Sequence, residues 1–218
     1  MRYRIFGQTG LRVSAIALGT GNFGKGWGYG SDREEAHKIY KGFREAGGNF
    51  LDTADQYQFG QSETMLGEFI NHERDDIVVA TKFSLGDSPT SGLQHTGNSR
   101  KSMVQSVEAS LKRLNTDRID LLWVHMPDGV TPIDEIARGL DDLVRAGKIL
   151  YSGLSDFPAW RVATAASIAE LRGWARISAV QLEYSLVERT ADRELLPMAT
   201  AFDLAAVSWS PLGGGLLT

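Results

Sequence analysis

The sequence has no cysteine, which rules out disulfides, thiolate nucleophiles, iron–sulfur clusters and cysteine-based zinc sites, and suits a reducing compartment. It has no basic block either. Its 23 Lys and Arg stand against 27 Asp and Glu for a formal charge of -4, and nothing in that distribution follows a phosphate backbone, which argues against nucleic acid as a partner. No apolar run approaches membrane-spanning length, and residues 1–10 lack the apolar core of a signal peptide. The four histidines, at 37, 72, 95 and 125, form no H-E-x-x-H or related spacing, so no metal site is expected. These absences describe a soluble, cytoplasmic protein with no membrane or nucleic-acid partner.

What is present is a rhythm. Apolar runs recur at 15–20, 49–54, 77–82, 120–125, 149–155, 179–185 and 205–210, each followed by a stretch of helical periodicity. That pattern predicts parallel strands buried on both faces. Helices are expected over 31–47, opened by a Ser31/Glu34 capping box, and over 62–71, 99–114, 131–147, 158–173 and 191–201. Thr131 and Pro132 read as the capping hydroxyl and first residue of the fourth. Segments 4–6 and 11–13 flank Gly7-Gln8-Thr9-Gly10, which suggests an N-terminal β-hairpin. No linker or internal sequence repeat divides residues 1–218, so a single domain is expected.

A βα repeat is compatible with an open doubly wound sheet or a closed barrel. Asp52, Lys82, His125, Ser155, Gln181 and Ser208 lie at or near the C-terminal ends of their strands. Nearly every unit thus offers a polar group to one face, and only a barrel gathers all its strand ends around one pocket. The expected fold is therefore α/β, a (β/α)8 TIM barrel with an N-terminal hairpin. Only seven strands are found, and a barrel needs eight and about 250 residues. The eighth strand onward is expected to lie outside these residues.

Asp52 sits in the apolar strand end Phe50-Leu51-Asp52-Thr53-Ala54, where an unpaired carboxylate would cost several kcal/mol. Lys82, ending the next strand, is its natural partner. Tyr57 follows in the loop above and His125 ends the fourth strand, so a carboxylate, an ammonium, a phenol and an imidazole would share one mouth. An ammonium stabilises a phenolate, which makes Tyr57 a candidate general acid, with His125 a donor to a substrate oxygen and Asp52 holding Lys82 in place. A buried salt bridge is the plain alternative. Residue chemistry alone yields a polarising, proton-donating pocket and no more. Gly19-Thr20-Gly21-Asn22-Phe23-Gly24 matches G-x-G-x-x-G, but it runs on into a longer glycine-rich loop with no helix start, against a dinucleotide fingerprint.

With these residues the chain resembles the aldo-keto reductase family. The likeness lies in Leu51-Asp52-Thr53-Ala54-Asp55-Gln56-Tyr57 with Gly60 and Ser62-Glu63, in Thr81-Lys82, and in Leu121-Leu122-Trp123-Val124-His125. It continues through Gly153-Leu154-Ser155-Asp156-Phe157, Gln181-Leu182-Glu183-Tyr184-Ser185 and Ser208-Trp209-Ser210-Pro211-Leu212-Gly213-Gly214-Gly215. The resemblance implies hydride transfer between NADP, or NAD, and a small carbonyl compound, with Asp52, Tyr57, Lys82 and His125 as the catalytic tetrad. It assigns Gly19, Thr20, Asp52, Ser155, Asp156, Gln181, Trp209, Ser210, Pro211, Leu212 and Gly214 to the cofactor. Ser155, Asp156 and Gln181 would take the nicotinamide amide, Trp209 would stack on its ring, and 210–215 would bring backbone N–H groups to the pyrophosphate. Trp27, Tyr57, Phe83, His125 and Met126 would line the substrate side, with Tyr29 nearby. Two positions depart from the family: Asp156 stands where Asn is common, and Trp209 where Tyr is frequent. Each also has a plainer reading, Asp156 as a cap for the helix after it and Trp209 as barrel core. A cofactor-bound regulatory subunit like the potassium-channel β subunits, which share the barrel and tetrad, and an inactive fragment are the competing functions.

Overall fold

Alternation along each strand of the sheet, one residue inward and the next outward, determines which strand side chains enter the barrel and which meet the helices. The computed structural model describes residues 1–218, in the order β1 (Tyr3–Ile5), β2 (Arg12–Ser14), β3 (Leu18–Gly19), α1 (Arg33–Glu45), β4 (Phe50–Asp52), α2 (Gln61–Ile70), β5 (Val78–Phe83), α3 (Arg100–Arg113), β6 (Ile119–Val124), α4 (Ile133–Arg145), β7 (Ile149–Ser155), α5 (Ala159–Arg172), β8 (Ile177–Glu183), α6 (Leu195–Ala201) and β9 (Ala205–Trp209). The first two strands form the expected antiparallel hairpin. The other seven make one parallel sheet in sequence order, from β3 at one end to β9 at the other.

The sheet curls as a barrel wall does. β4 and β8 are four strands apart, about 19 Å on a flat sheet, yet Gln181 Nε2 on β8 donates to Asp52 Oδ2 on β4 at 3.0 Å. Phe50, Val78, Ala80, Leu121, Trp123 and Ala179 face inward and pack with Phe6 and Val13 of the hairpin. The rings of Phe6 and Phe50 meet edge to face, 5.8 Å between centroids, so the hairpin plugs the end where the strands begin. The outward residues, among them Leu51, Val79, Phe83, Leu122 and Val124, form the larger core with Leu66, Met103, Leu140 and Val162 of the helices. No helix is long and apolar enough to cross a membrane.

Several boundaries differ from the sequence expectation. β3 is only Leu18–Gly19, because the chain before it belongs to the hairpin: Ala15 N–H donates to Arg2 O at 2.8 Å. β8 begins at Ile177 and pairs with β7 across a bulge at Ser152/Gly153. The cap of α1 is Asp32, which accepts from Glu35 N–H at 3.0 Å, and not Ser31. Thr131 does not cap α4. Its hydroxyl donates to Asp128, and Pro132 occupies the cap position. α6 is shorter than expected, because Thr190–Asp192 is a separate 3-10 turn.

Gly153 marks the tightest inner packing. A Cβ there would lie 2.3 Å from the Trp123 ring and 2.9 Å from Ala179 O. Gly153→Ala should destabilise the protein by about 1–3 kcal/mol through overpacking, read as a lower urea midpoint. An unchanged midpoint would show that the Trp123 ring has room to give.

Candidate active site

Inward alternation brings Asp52 of β4 and Lys82 of β5 into the barrel together, and their heights differ by one inward step, since Asp52 pairs in register with Ala80. Lys82 bridges that step with its length. Its ammonium donates to Asp52 Oδ1, to Thr53 O at 2.9 Å and to the Tyr57 hydroxyl at 3.1 Å. The second carboxylate oxygen of Asp52 accepts from Trp123 Nε1 and Gln181 Nε2, each at 3.0 Å. The carboxylate is therefore held by three side chains from three other strands. Lys82 is 1% exposed. Burial alone would pull its pKa down, but Asp52 and then Tyr57 overcome this, and the net direction is up.

Tyr57 opens a 3-10 turn, Tyr57–Gly60, in which Gln58 (φ 52°), Phe59 (φ 55°) and Gly60 (φ 83°) are all left-handed. For the two non-glycine residues that backbone is costly, on the order of 1–2 kcal/mol each. The fully buried Gln58 offsets part of it, its Nε2 donating to Gly21 O at 3.0 Å and its Oε1 accepting from Trp27 N–H at 2.9 Å. These bonds also dock the 21–31 loop beside the phenol. The Trp27 ring stands edge-on to Tyr57 at 6.0 Å, and so does the His125 ring, also at 6.0 Å.

His125 lies just past β6, its backbone N–H held by Phe83 O at 2.9 Å and Ser84 Oγ at 3.2 Å. Burial, then the nearby Lys82 ammonium, pushes its pKa down to about 3, so the imidazole is neutral. Its Nδ1 is buried without a hydrogen-bond partner.

A cleft of about 500 Å³ opens above these groups, lined by Asp52, Tyr57, His125, Gly19, Ser155, Asp156, Gln181, Trp209, Ser210 and Pro211 among the expected residues. Other expected residues lie elsewhere. Thr20 is buried beneath it, its hydroxyl sharing a hydrogen bond with Ser62 Oγ at 2.8 Å. Phe83, next to Lys82 and so on the opposite face, lies in the helix-side core at 1% exposure and cannot meet a substrate. Met126 is 39% exposed, Leu212 is 54% exposed, and Gly214 lies in the 3-10 turn Gly213–Gly215; none of the three lines the cleft. Asp156 is not a helix cap. It has φ 55°, and its Oδ1 accepts from Trp209 Nε1 at 3.0 Å. Burial raises its carboxyl pKa above the ordinary range.

Sequence reasoning did not single out Trp123, which holds Asp52, or Gln58, which ties the Tyr57 turn to the 21–31 loop. The signal for Trp123 was its alternation with Leu121, which turns the indole inward; nothing local marks Gln58. A nicotinamide carboxamide needs an acceptor for its NH2 and a donor for its carbonyl. Gln181 commits Nε2 to Asp52 and keeps Oε1 as an acceptor, and the Ser155 hydroxyl can donate where an ionised Asp156 cannot. The donor set fits that group.

A family model described as "Aldo/keto reductase family" matches residues 15–218. The norsolorinic acid reductase of Aspergillus flavus is 40% identical over 217 residues, 95% of this chain and 56% of its own length. The aryl-alcohol dehydrogenase [NADP(+)] of Phanerodontia chrysosporium is 39% identical, covering 94% of this chain and 57% of its own. An aldo-keto reductase of Aspergillus calidoustus is 37% identical, covering 98% and 57%. The chain spans a little over half the length of these relatives.

The neutral imidazole has a consequence for stability. Unfolded, His125 takes up a proton near its ordinary value of 6.5, whereas folded it stays neutral down to about 3. Its contribution is therefore complete above pH 6.5 and lost as pH falls toward 3. His125→Gln should show a shallower loss of urea midpoint between pH 7 and pH 5 than the parent. Equal slopes would mean that the imidazole protonates in place.

Proposed function

The chain belongs to the aldo/keto reductase family, and from that membership we propose that it carries the catalytic groups of an oxidoreductase that reduces small aldehydes or ketones to alcohols with NADP(H), or NAD(H), in the cytoplasm. One observation carries the reading. A buried ammonium, held by Asp52, touches the hydroxyl of Tyr57 beside a neutral imidazole at the floor of a cleft.

Reduction of a carbonyl group builds negative charge on its oxygen. Tyr57 supplies the proton at that oxygen, and the Lys82 ammonium next to the phenol stabilises the phenolate left behind. The neutral His125 ring donates a second hydrogen bond and, being uncharged, does not compete with Lys82 for the phenolate. Asp52, held by Trp123 and Gln181, keeps Lys82 charged and aimed. A nicotinamide cofactor, when bound, supplies the hydride. Ser155, Asp156 and Gln181 orient its carboxamide, the Trp209 indole tethered by Asp156 gives a flat surface for its ring, and Gly19 with Ser210 and Pro211 borders the remainder. NADP is preferred because one relative's name specifies it.

On the substrate side, Trp27 lies 6.0 Å from Tyr29 and 6.4 Å from Phe59, ring to ring, making an aromatic rim beside Tyr57. That rim suits planar aryl carbonyl compounds, in keeping with the relative named an aryl-alcohol dehydrogenase.

Tyr57→Phe should lower reduction of aryl aldehydes by a factor on the order of 10² to 10⁴, while quenching of tryptophan fluorescence by NADPH stays within a few-fold of the parent. Parent-like turnover in Tyr57→Phe would remove the phenol from the acid role. A parent chain with cofactor quenching but no turnover on any test carbonyl would instead favour a cofactor-bound regulatory subunit.

A further inference from the structure

On the outer side of β5, behind the phenol, lies a cluster of charge that the chemistry above does not use. Glu63, in the first turn of α2, has no exposed surface. Its Oε1 accepts from Thr81 Oγ1 at 2.5 Å and its Oε2 from Arg113 Nε at 2.6 Å. Arg113, the last residue of α3, also gives Nη1 to Asp87 Oδ2 at 2.7 Å. Its aliphatic stem presses on Gly60, where a Cβ would come 2.9 Å from Arg113 Cδ. Asp55, two residues before Tyr57, is 1% exposed, and its Oδ1 has no partner. Its backbone N–H donates to Lys82 O at 3.0 Å.

These contacts fasten the Tyr57 turn at both ends, Asp55 ahead of it and Gly60 with Glu63 behind. The groups around Asp55 are Glu63 from α2, Arg113 from α3 and Asp87 from the loop after β5, with the Lys82 ammonium on the inner face of β5. Three carboxyls meet one guanidinium. Glu63 takes its Nε–H, Asp87 takes Nη1 and Ser110 Oγ takes Nη2, and Asp55, buried with an unpaired oxygen, makes no ion pair with it. A buried carboxyl in that position keeps its proton.

Given the reading of Tyr57 as proton donor, we propose that Arg113 and Asp55 are positioning residues for it: the guanidinium clamps the far end of the turn through Glu63 and Gly60, and Asp55, its backbone N–H on Lys82 O and its carboxyl buried beside the same cluster, holds the near end. Burial, then repulsion from Glu63, pushes the Asp55 carboxyl up to about 8. Above that pH a third negative charge enters the cluster, repels Glu63 and Asp87, and loosens the turn. The ordinary value is 3.8, so between 3.8 and about 8 the folded chain keeps a proton the unfolded chain releases, and stability declines with rising pH across that window.

The test is made on the full chain labelled with ¹³C in its tyrosine rings, with the Tyr57 resonance identified by its loss in Tyr57→Phe. The expected parent resonance moves through a step near pH 8, and that step is absent in Asp55→Asn. In Arg113→Met the resonance should broaden or split, with kcat down on the order of 10-fold to 100-fold at little-changed KM, and Arg113→Lys should restore part of both. A step that persists in Asp55→Asn, or an Arg113→Met resonance superimposable on the parent, overturns the proposal. If Arg113→Met does not fold, Asp55→Asn and Arg113→Lys decide it. Because the resonance is read without turnover, a chain with the expected resonances but no carbonyl reduction keeps the clamp and overturns only the reductase reading.

Discussion

Lys82 carries its charge where 1% of its surface meets solvent, and the rest of the molecule is arranged around that fact. An ammonium taken out of water loses several kcal/mol of solvation, which an ion pair restores only when both partners are fully hydrogen-bonded. Asp52, Thr53 O and Tyr57 satisfy Lys82, and Trp123 and Gln181 satisfy Asp52. Those last two donors stand on β6 and β8, so the ion pair is complete only when the sheet is curled. The curl in turn depends on packing that leaves no space, as at Gly153 under the Trp123 ring. The cleft chemistry and the barrel curvature are thus one constraint.

Backbone strain gathers around the same cleft. Seven non-glycine residues have positive φ, and five of them border the site: Gln58 and Phe59 in the Tyr57 turn, Ser84 beside His125, and Asp156 and Ser210 around Trp209. Such conformations persist only where surrounding bonds over-determine them. Here those bonds are visible: Gln58 to the 21–31 loop, Ser84 Oγ to the His125 N–H, and Asp156 to the Trp209 indole. Loops that would otherwise wander are set by side-chain hydrogen bonds on a rigid sheet.

The strand and helix order was legible because parallel strands covered on both faces read as short apolar runs between amphipathic stretches. Ends were less so. The short β3 and the Asp32 cap depend on which groups compete for a backbone N–H, and the competitors, Arg2 O and Glu35 N, show no preference in the sequence pattern. Among site residues, polar groups at apolar strand ends stood out, which marked Asp52, Lys82 and Gln181. The resemblance also put Phe83 and Thr20 at the site, but the residue after an inward lysine must face outward, and the Thr20 hydroxyl turns to Ser62.

The sequence by itself determined the βα rhythm, the polar strand ends and the family likeness, because each is written in local alternation and residue type. Only the tertiary structure decided that Trp123 and Gln181 hold Asp52, that Gln58 pins the Tyr57 turn, and that Arg113 reaches Glu63 from 50 residues away. Those contacts come from the curvature of the sheet and the packing of helices behind it, and spacing along the chain carries no record of either.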